Sequence, residues 1–235
     1  MMKYFSLLII VFSFLISCRG RIFNNPYDPD RDERGYEILS VVNIEGGRIP
    51  FDLTFSGDSI WIVQESSTPV SLNYSSGSLI RELTTQPASG IAYDNSNLWI
   101  IGKDSQELIN ISIINGNEIK GIRLSEGNYN FLDYKAPYIY TADKLTNTIL
   151  TIDPDSGAVI SSFRSPSFSI DGFCFDGSEF WILERSERKI FVTDIEGNLI
   201  NTFRTPTDTP TGLASSENII WMGDQAGKII KLRFD

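Results

Sequence analysis

The sequence contains no histidine. That absence removes the side chain most used as a general base near neutral pH and the commonest protein ligand of zinc. Ser-His-Asp and Cys-His chemistry are excluded with it. Any catalysis would have to run on carboxylates, Lys, Tyr or a hard cation held by oxygen ligands. Cysteine is scarce, with only Cys18 and Cys174. Cys174 lies in the apolar run Gly172-Phe173-Cys174-Phe175 and reads as a small buried hydrophobe. Basic residues are few, 20 Lys and Arg against 30 Asp and Glu. A net charge of −10 repels phosphate backbones and argues against nucleic acid as a partner. Helical patterning is missing too, since no segment holds a 3.6-residue apolar period. Disorder is not the explanation, because a 41% hydrophobic share and 21% charge suit a folded core.

The first 17 residues differ in kind from the rest. Met1-Met2-Lys3 is followed by an apolar stretch from Tyr4 to Ile16. It is shorter than the roughly 20 residues of a spanning helix and has the shape of a secretion signal. It ends Leu15-Ile16-Ser17-Cys18, which resembles the lipobox of bacterial lipoproteins. That resemblance implies residues 1–17 as a lipoprotein signal peptide and Cys18 as the lipidated mature N-terminus. Acyl chains of the palmitate type would then hold the protein stably to a membrane of the cell envelope. Arg19 and Gly20 follow the cysteine where an Asp would signal retention, so the outer membrane is implied if the organism has one. Residues 18–34, with Pro26, Pro29 and mixed charges, read as a flexible tether.

From residue 35 onward the chain repeats. Aliphatic-aromatic or Phe-Trp pairs occur at Ile60-Trp61, Leu98-Trp99, Ile139-Tyr140, Phe180-Trp181 and Ile220-Trp221, with gaps of 38, 41, 41 and 40 residues. Each is followed by another apolar strand, such as Val70-Ser71-Leu72 or Ile149-Leu150-Thr151-Ile152. A Gly-x-x-Ile element comes next, at Gly77, Gly116, Gly157 and Gly197. Before the aromatic runs a fourth strand type, including Asp52-Leu53-Thr54-Phe55 and Gly172-Phe173-Cys174-Phe175. Turn-rich joints such as Asp176-Gly177-Ser178 separate them. Four short strands in about 40 residues make one propeller blade. The last unit stops at Asp235 without its Gly-x-x-Ile element, and Gly35-Tyr36-Glu37-Ile38 supplies a lone copy at the other end. The pattern predicts an all-β, five-bladed β-propeller over 35–235, closed by pairing of the N-terminal strand with the last blade. Closure removes edges that would otherwise template aggregation.

The blade signature, Gly-x-x-Ile with Asp-Gly-Ser-x-Phe-Trp-Ile and Asp-Pro-x-Ser-Gly, resembles bacterial propeller repeats of the NHL and YVTN type. Such folds host unrelated activities, and the resemblance implies mostly binding or scaffold modules. In blade number the chain also resembles the plant and bacterial glutaminyl cyclases. Those carry Phe-Thr-Gln-Gly-Leu and Tyr-Glu-Ser-Thr-Gly runs, where this chain has Ile49-Pro50-Phe51-Asp52-Leu53 and Trp61-Ile62-Val63-Gln64-Glu65. Phe51 stands for the Gln and Ile62 for the acid, so the chain departs from both runs.

Function in such a fold belongs to loops on a rigid frame. Asp52 and Asp171 lead into first strands, and Asp143, Glu184 and Asp224 stand three residues past their aromatics. Asp52, Asp143, Asp171, Glu184 and Asp224 are therefore the candidate ligand or cation mouth, with Ca²⁺ the cation that oxygen ligands of this kind would take. The competing reading is that these acids cap turns. No catalytic residue and no resident cofactor is assigned. The expected function is a membrane-anchored, extracytoplasmic module that binds protein, peptide or glycan. The alternative is a carboxylate- or metal-dependent enzyme, either a lactonase-like hydrolase or a glutaminyl-cyclase-like cyclotransferase.

Overall fold

A computed structural model describes residues 35–65, 67–103 and 107–234. The segments read as signal peptide and tether, with Cys18, lie outside these residues. Almost every described segment is a short antiparallel strand. The chain opens with β1 (Tyr36–Asn43). Blade 1 follows as β2 (Asp52–Phe55), β3 (Ser59–Val63), β4 (Val70–Asn73) and β5 (Leu79–Glu82). Blade 2 is β6 (Ala88–Tyr93), β7 (Leu98–Gly102), β8 (Glu107–Ile111) and β9 (Glu118–Arg123). Blade 3 is β10 (Tyr129–Lys135), β11 (Tyr138–Asp143), β12 (Thr148–Ile152) and β13 (Val159–Arg164). Blade 4 is β14 (Gly172–Phe175), β15 (Phe180–Glu184), β16 (Lys189–Thr193) and β17 (Leu199–Arg204). Blade 5 has β18 (Pro210–Ser216), β19 (Ile219–Asp224) and β20 (Lys228–Phe234), and β1 is its outer strand.

Closure takes the predicted form. β1 runs antiparallel to β20 from Tyr36 opposite Phe234 to Asn43 opposite Lys228. Tyr36 is buried against that blade, its ring 5.3 Å from Phe234. Among the described residues no helix is long and apolar enough to cross a membrane.

The repeated residues explain the assembly. Each second-strand aromatic is buried and faces the next blade. Trp61 packs with Ile91 and Leu98 of blade 2, and Trp99 with Leu132 and Ile139 of blade 3. Tyr140 meets Phe175 at 4.8 Å, Trp181 meets Phe234 at 4.5 Å, and Trp221 stacks on Phe55 at 5.4 Å. Burying such a side chain contributes roughly 1.5–3 kcal/mol. The Gly-x-x-Ile glycine is the reciprocal contact. A Cβ on Gly77 would lie 2.0 Å from the Asn43 carbonyl oxygen, one on Gly157 2.3 Å from Ile122, and one on Gly197 2.3 Å from Phe163. Gly35 meets Phe203 in the same way. Each of these glycines thus seats against the outer strand of the blade before it, with a positive φ that favours glycine.

The inner strands crowd the axis. The axial positions hold Asp52, Gly90, Phe131, Gly172 and Gly212. A Cβ on Gly172 would stand 2.9 Å from the Gly212 Cα, and one on Gly212 2.8 Å from the Asp52 Cα. Three glycines make room for one Asp and one Phe. The copy in blade 3 is hard to see in sequence, because Phe131 replaces the glycine, takes φ 61° and sits at a register shift in β10.

Candidate functional site

Two faces close the ring. One carries the loops leading into the first strands and the hairpins between second and third strands. The other carries the hairpins between first and second strands. The sequence-predicted residues belong to the first, which is here named the loop face.

Asp52 departs from the expected arrangement. Phe51 N–H donates to the Val63 carbonyl as Asp171 N–H donates to the Leu183 carbonyl, so Phe51, not Asp52, is the counterpart of Asp171. Asp52 lies one register position further in, and a one-residue step turns a strand side chain to a different surface. It is fully buried on the axis. Its Oδ2 accepts the N–H of Ile91 at 2.9 Å and of Leu132 at 3.0 Å, and its Oδ1 has no partner. Inner strands have one edge without a strand neighbour, and Asp52 satisfies that edge in blades 2 and 3. Burial pushes its carboxyl well above the usual range, against the pull of the backbone N–H groups.

The other acids reach the face, and each accepts hydrogen bonds within its own blade. Asp143 accepts the N–H of Asn128 and of Leu145, both at 3.0 Å, and the Thr146 hydroxyl at 2.7 Å. Burial raises its pKa, but these donors outweigh it and the net shift is downward. Glu184 is buried and accepts the Phe168 N–H at 2.9 Å and the Ser186 hydroxyl at 3.0 Å. Asp224 accepts the Ala226 N–H at 2.6 Å, the Thr209 hydroxyl at 3.0 Å and the Thr207 hydroxyl. In blades 3, 4 and 5 the carboxylate that ends the second strand therefore ties its hairpin to the loop leading into the blade. Asp171 accepts the Arg185 N–H at 3.0 Å and the Ser169 hydroxyl at 3.1 Å, and Lys144 lies 3.8 Å away. Among the described residues no three His, Cys, Asp or Glu side chains converge as a metal would require.

The centre of the loop face is filled by aromatic rings. Phe51 stacks on Phe131 at 5.0 Å, and the Lys144 ammonium stands 5.6 Å from the Phe131 ring. Arg185 Nε donates to the Pro210 carbonyl at 2.8 Å. A cleft of about 150 Å³ remains beside the plug, between Phe51, Ser89, Tyr129 and Asn130.

Apolar residues that the sequence reading passed over stand out here. Phe168 is 87% exposed and Leu145 75% exposed. Their loops are bound together, as Asn147 Nδ2 donates to the Ser167 carbonyl at 2.6 Å and Ser165 N–H to the Asn147 carbonyl at 2.9 Å. Glu184 and Asp143 hold the backbone at or beside these two positions. The sequence signal was available, since both residues are large apolar side chains inside turn-rich segments.

The chain is a five-bladed β-propeller with four-stranded blades. No family model matches it, and no curated protein matches it. Solved structures do. It is similar to the Myxococcus xanthus glutaminyl cyclase with a TM-score of 0.72 at 15% identity, over 85% of this chain and 96% of that one. It is similar to a streptogramin B lyase with a TM-score of 0.53 at 14% identity, over 85% and 98%. A catalytically inactive histidine-to-alanine virginiamycin B lyase from Staphylococcus aureus, crystallised with quinupristin, matches at 0.53 and 16%, over 81% and 82%. At these identities the likeness shows the fold alone.

Proposed function

We propose that this protein is a lipid-anchored propeller of the cell envelope that docks a protein or peptide on its loop face, with Phe168 and Leu145 as anchors. The observation that carries this reading is the pairing of exposure with restraint. Two large apolar side chains are held out in solvent on loops tied down by the buried or nearly buried carboxylates of Glu184 and Asp143. Anchors restrained before binding lose little entropy on docking and carry most of an interface's energy. The lipobox ending in Cys18 supports the anchor.

The enzyme neighbours do not transfer their chemistry easily. The virginiamycin B lyase was inactivated by replacing one histidine, and this sequence has none. Where the glutaminyl-cyclase runs carry Gln and an acid, this chain has Phe51, stacked in the plug, and Ile62, fully buried among Leu53, Ile60 and Val70. Neither can hold a proton.

The test is paired. Envelope proteins captured by the native protein are compared with those captured by the Phe168→Ala/Leu145→Ala double variant. The expected result is loss of a stoichiometric partner at an unchanged melting temperature. Retention of that partner at equal yield overturns the docking surface. Separately, Cys18→Ser is expected to abolish labelling by a palmitate analogue and release the protein from membranes. Membrane association that survives the substitution overturns the anchor.

A further inference from the structure

The face opposite the loops carries a second opening on the axis. A cavity of about 570 Å³ lies there, walled by the hairpins of blades 1, 2, 3 and 5. Its shape follows from breaks in the five-fold pattern. Opposite the second-strand aromatics stand Thr54, Ala92, Asp133, Cys174 and Ala214, and only Asp133 is charged. One residue further on stand Phe55, Tyr93, Tyr134, Phe175 and Ser215. Four blades place a ring at that point, and blade 5 places a serine. Blade 5 has no ring at that point, and Ser215, which lines the cavity, donates to the Phe175 carbonyl at 3.0 Å.

Acidic and aromatic groups predominate in the walls. Asp133 lines the cavity, with Glu217 at the blade 5 hairpin and the rings of Phe55, Tyr93 and Tyr134 around it. Lys135 also borders it, and its charge pulls the Asp133 carboxyl downward, against the burial that raises it. Carboxylates beside aromatic rings attract organic cations through charge-assisted hydrogen bonds and ring quadrupoles. We infer that this opening is a binding site for a small organic cation, a primary amine or a guanidine, with Asp133 as its counter-ion and the cavity beside Ser215 as its room. It is independent of the loop face and of the docking reading.

Asp133 also has a structural duty, since its Oδ2 accepts the Phe175 N–H at 2.6 Å and its Oδ1 the Tyr134 N–H at 2.8 Å. Thr54 shows that a neutral side chain can serve such an edge, because its hydroxyl accepts the Tyr93 N–H at 3.2 Å. The experiment separates the two roles. Full-length protein in mild detergent is titrated calorimetrically with agmatine and with putrescine, each against acetate as a control. Saturable binding of at least one cation is expected, weakened at least tenfold by Asp133→Asn and abolished by Ser215→Phe, which restores the ring of the other blades. Asp133→Asn keeps an acceptor for Phe175, so its melting temperature should stay within a few degrees of native. Absence of saturable binding to the native protein overturns the site. So does binding by both variants at native strength. If Asp133→Asn fails to fold, Ser215→Phe alone decides.

Discussion

Asp52, fully buried, and Asp133, half-buried at the cavity wall, are carboxylates on inner strands, and both hold their protons more tightly than free carboxyls. Burial is the first cause in each; the pKa of Asp133 is pushed up to about 6, and that of Asp52 moves well upward. A raised folded-state pKa means that the native protein binds the proton better than the unfolded chain does. The stabilisation is complete below the unfolded value near 3.8 and is lost as pH rises through the folded one. Asp143 and Asp176 work in the opposite sense. Their folded pKa values are lowered, because hydrogen-bond donors outweigh burial, so their contribution fades as pH falls below the usual range. Thermal stability is therefore expected to be greater at pH 5 than at pH 8. Melts of Asp52→Asn and Asp133→Asn should each show a smaller difference between those two pH values. Asp52→Ala removes the acceptor of two buried N–H groups, at a cost of roughly 1–3 kcal/mol each. Its melting point should fall at both pH values.

A second residue-scale prediction comes from the tryptophans. Trp99 Nε1 donates to Asp94 at 3.0 Å and Trp181 Nε1 to Asp176 at 2.8 Å. Trp61 Nε1 is buried without a partner, and Ser56 stands where the other two blades have Asp. Ser56→Asp should supply the acceptor and raise stability by about 1 kcal/mol, read as a higher denaturation midpoint.

At the scale of the element, the outer hairpin is the unit that couples blades. Gly197 has φ 86°, and a Cβ there would meet the Phe163 ring at 2.3 Å. Gly197→Ala therefore suffers both backbone strain and a clash, together costing upwards of about 1 kcal/mol. A lower urea midpoint with an unchanged slope is the expected sign. The loop-face hairpins follow a different rule. Asp143, Glu184 and Asp224 close them onto the loops leading into their blades, so the competing reading of these acids as turn caps describes what they contact. Sequence spacing showed their common position after the aromatic. It could not show that their lone pairs are taken by Asn128, Phe168 and Thr209, which lie 15 or 16 residues upstream.

At the scale of the whole molecule, the ring depends on one strand. Removing residues 1–43 would strip Tyr36 and Val42 from the core and leave the edge of β20 unpaired. An open edge templates association. The truncated chain is expected to lose its single cooperative melt and to elute as large species on gel filtration, whereas the intact ring should elute as one defined species.

Blade number, blade boundaries and the closing strand were all written locally. Each depends on a pattern within about 40 residues that repeats five times, so alternation, turn residues and the two half-units at the ends suffice to read it. The interior of the axis was not written that way. Which groups Asp52 meets on the axis turns on contacts between strands of different blades. Asp52 meets its partners at Ile91 and Leu132, 39 and 80 positions away, and no periodicity within one blade encodes that meeting. Asp133 drew no notice in sequence for the same reason. Its setting comes from four hairpins that only the closed ring brings together, since packing around a common axis is a property of all five blades at once.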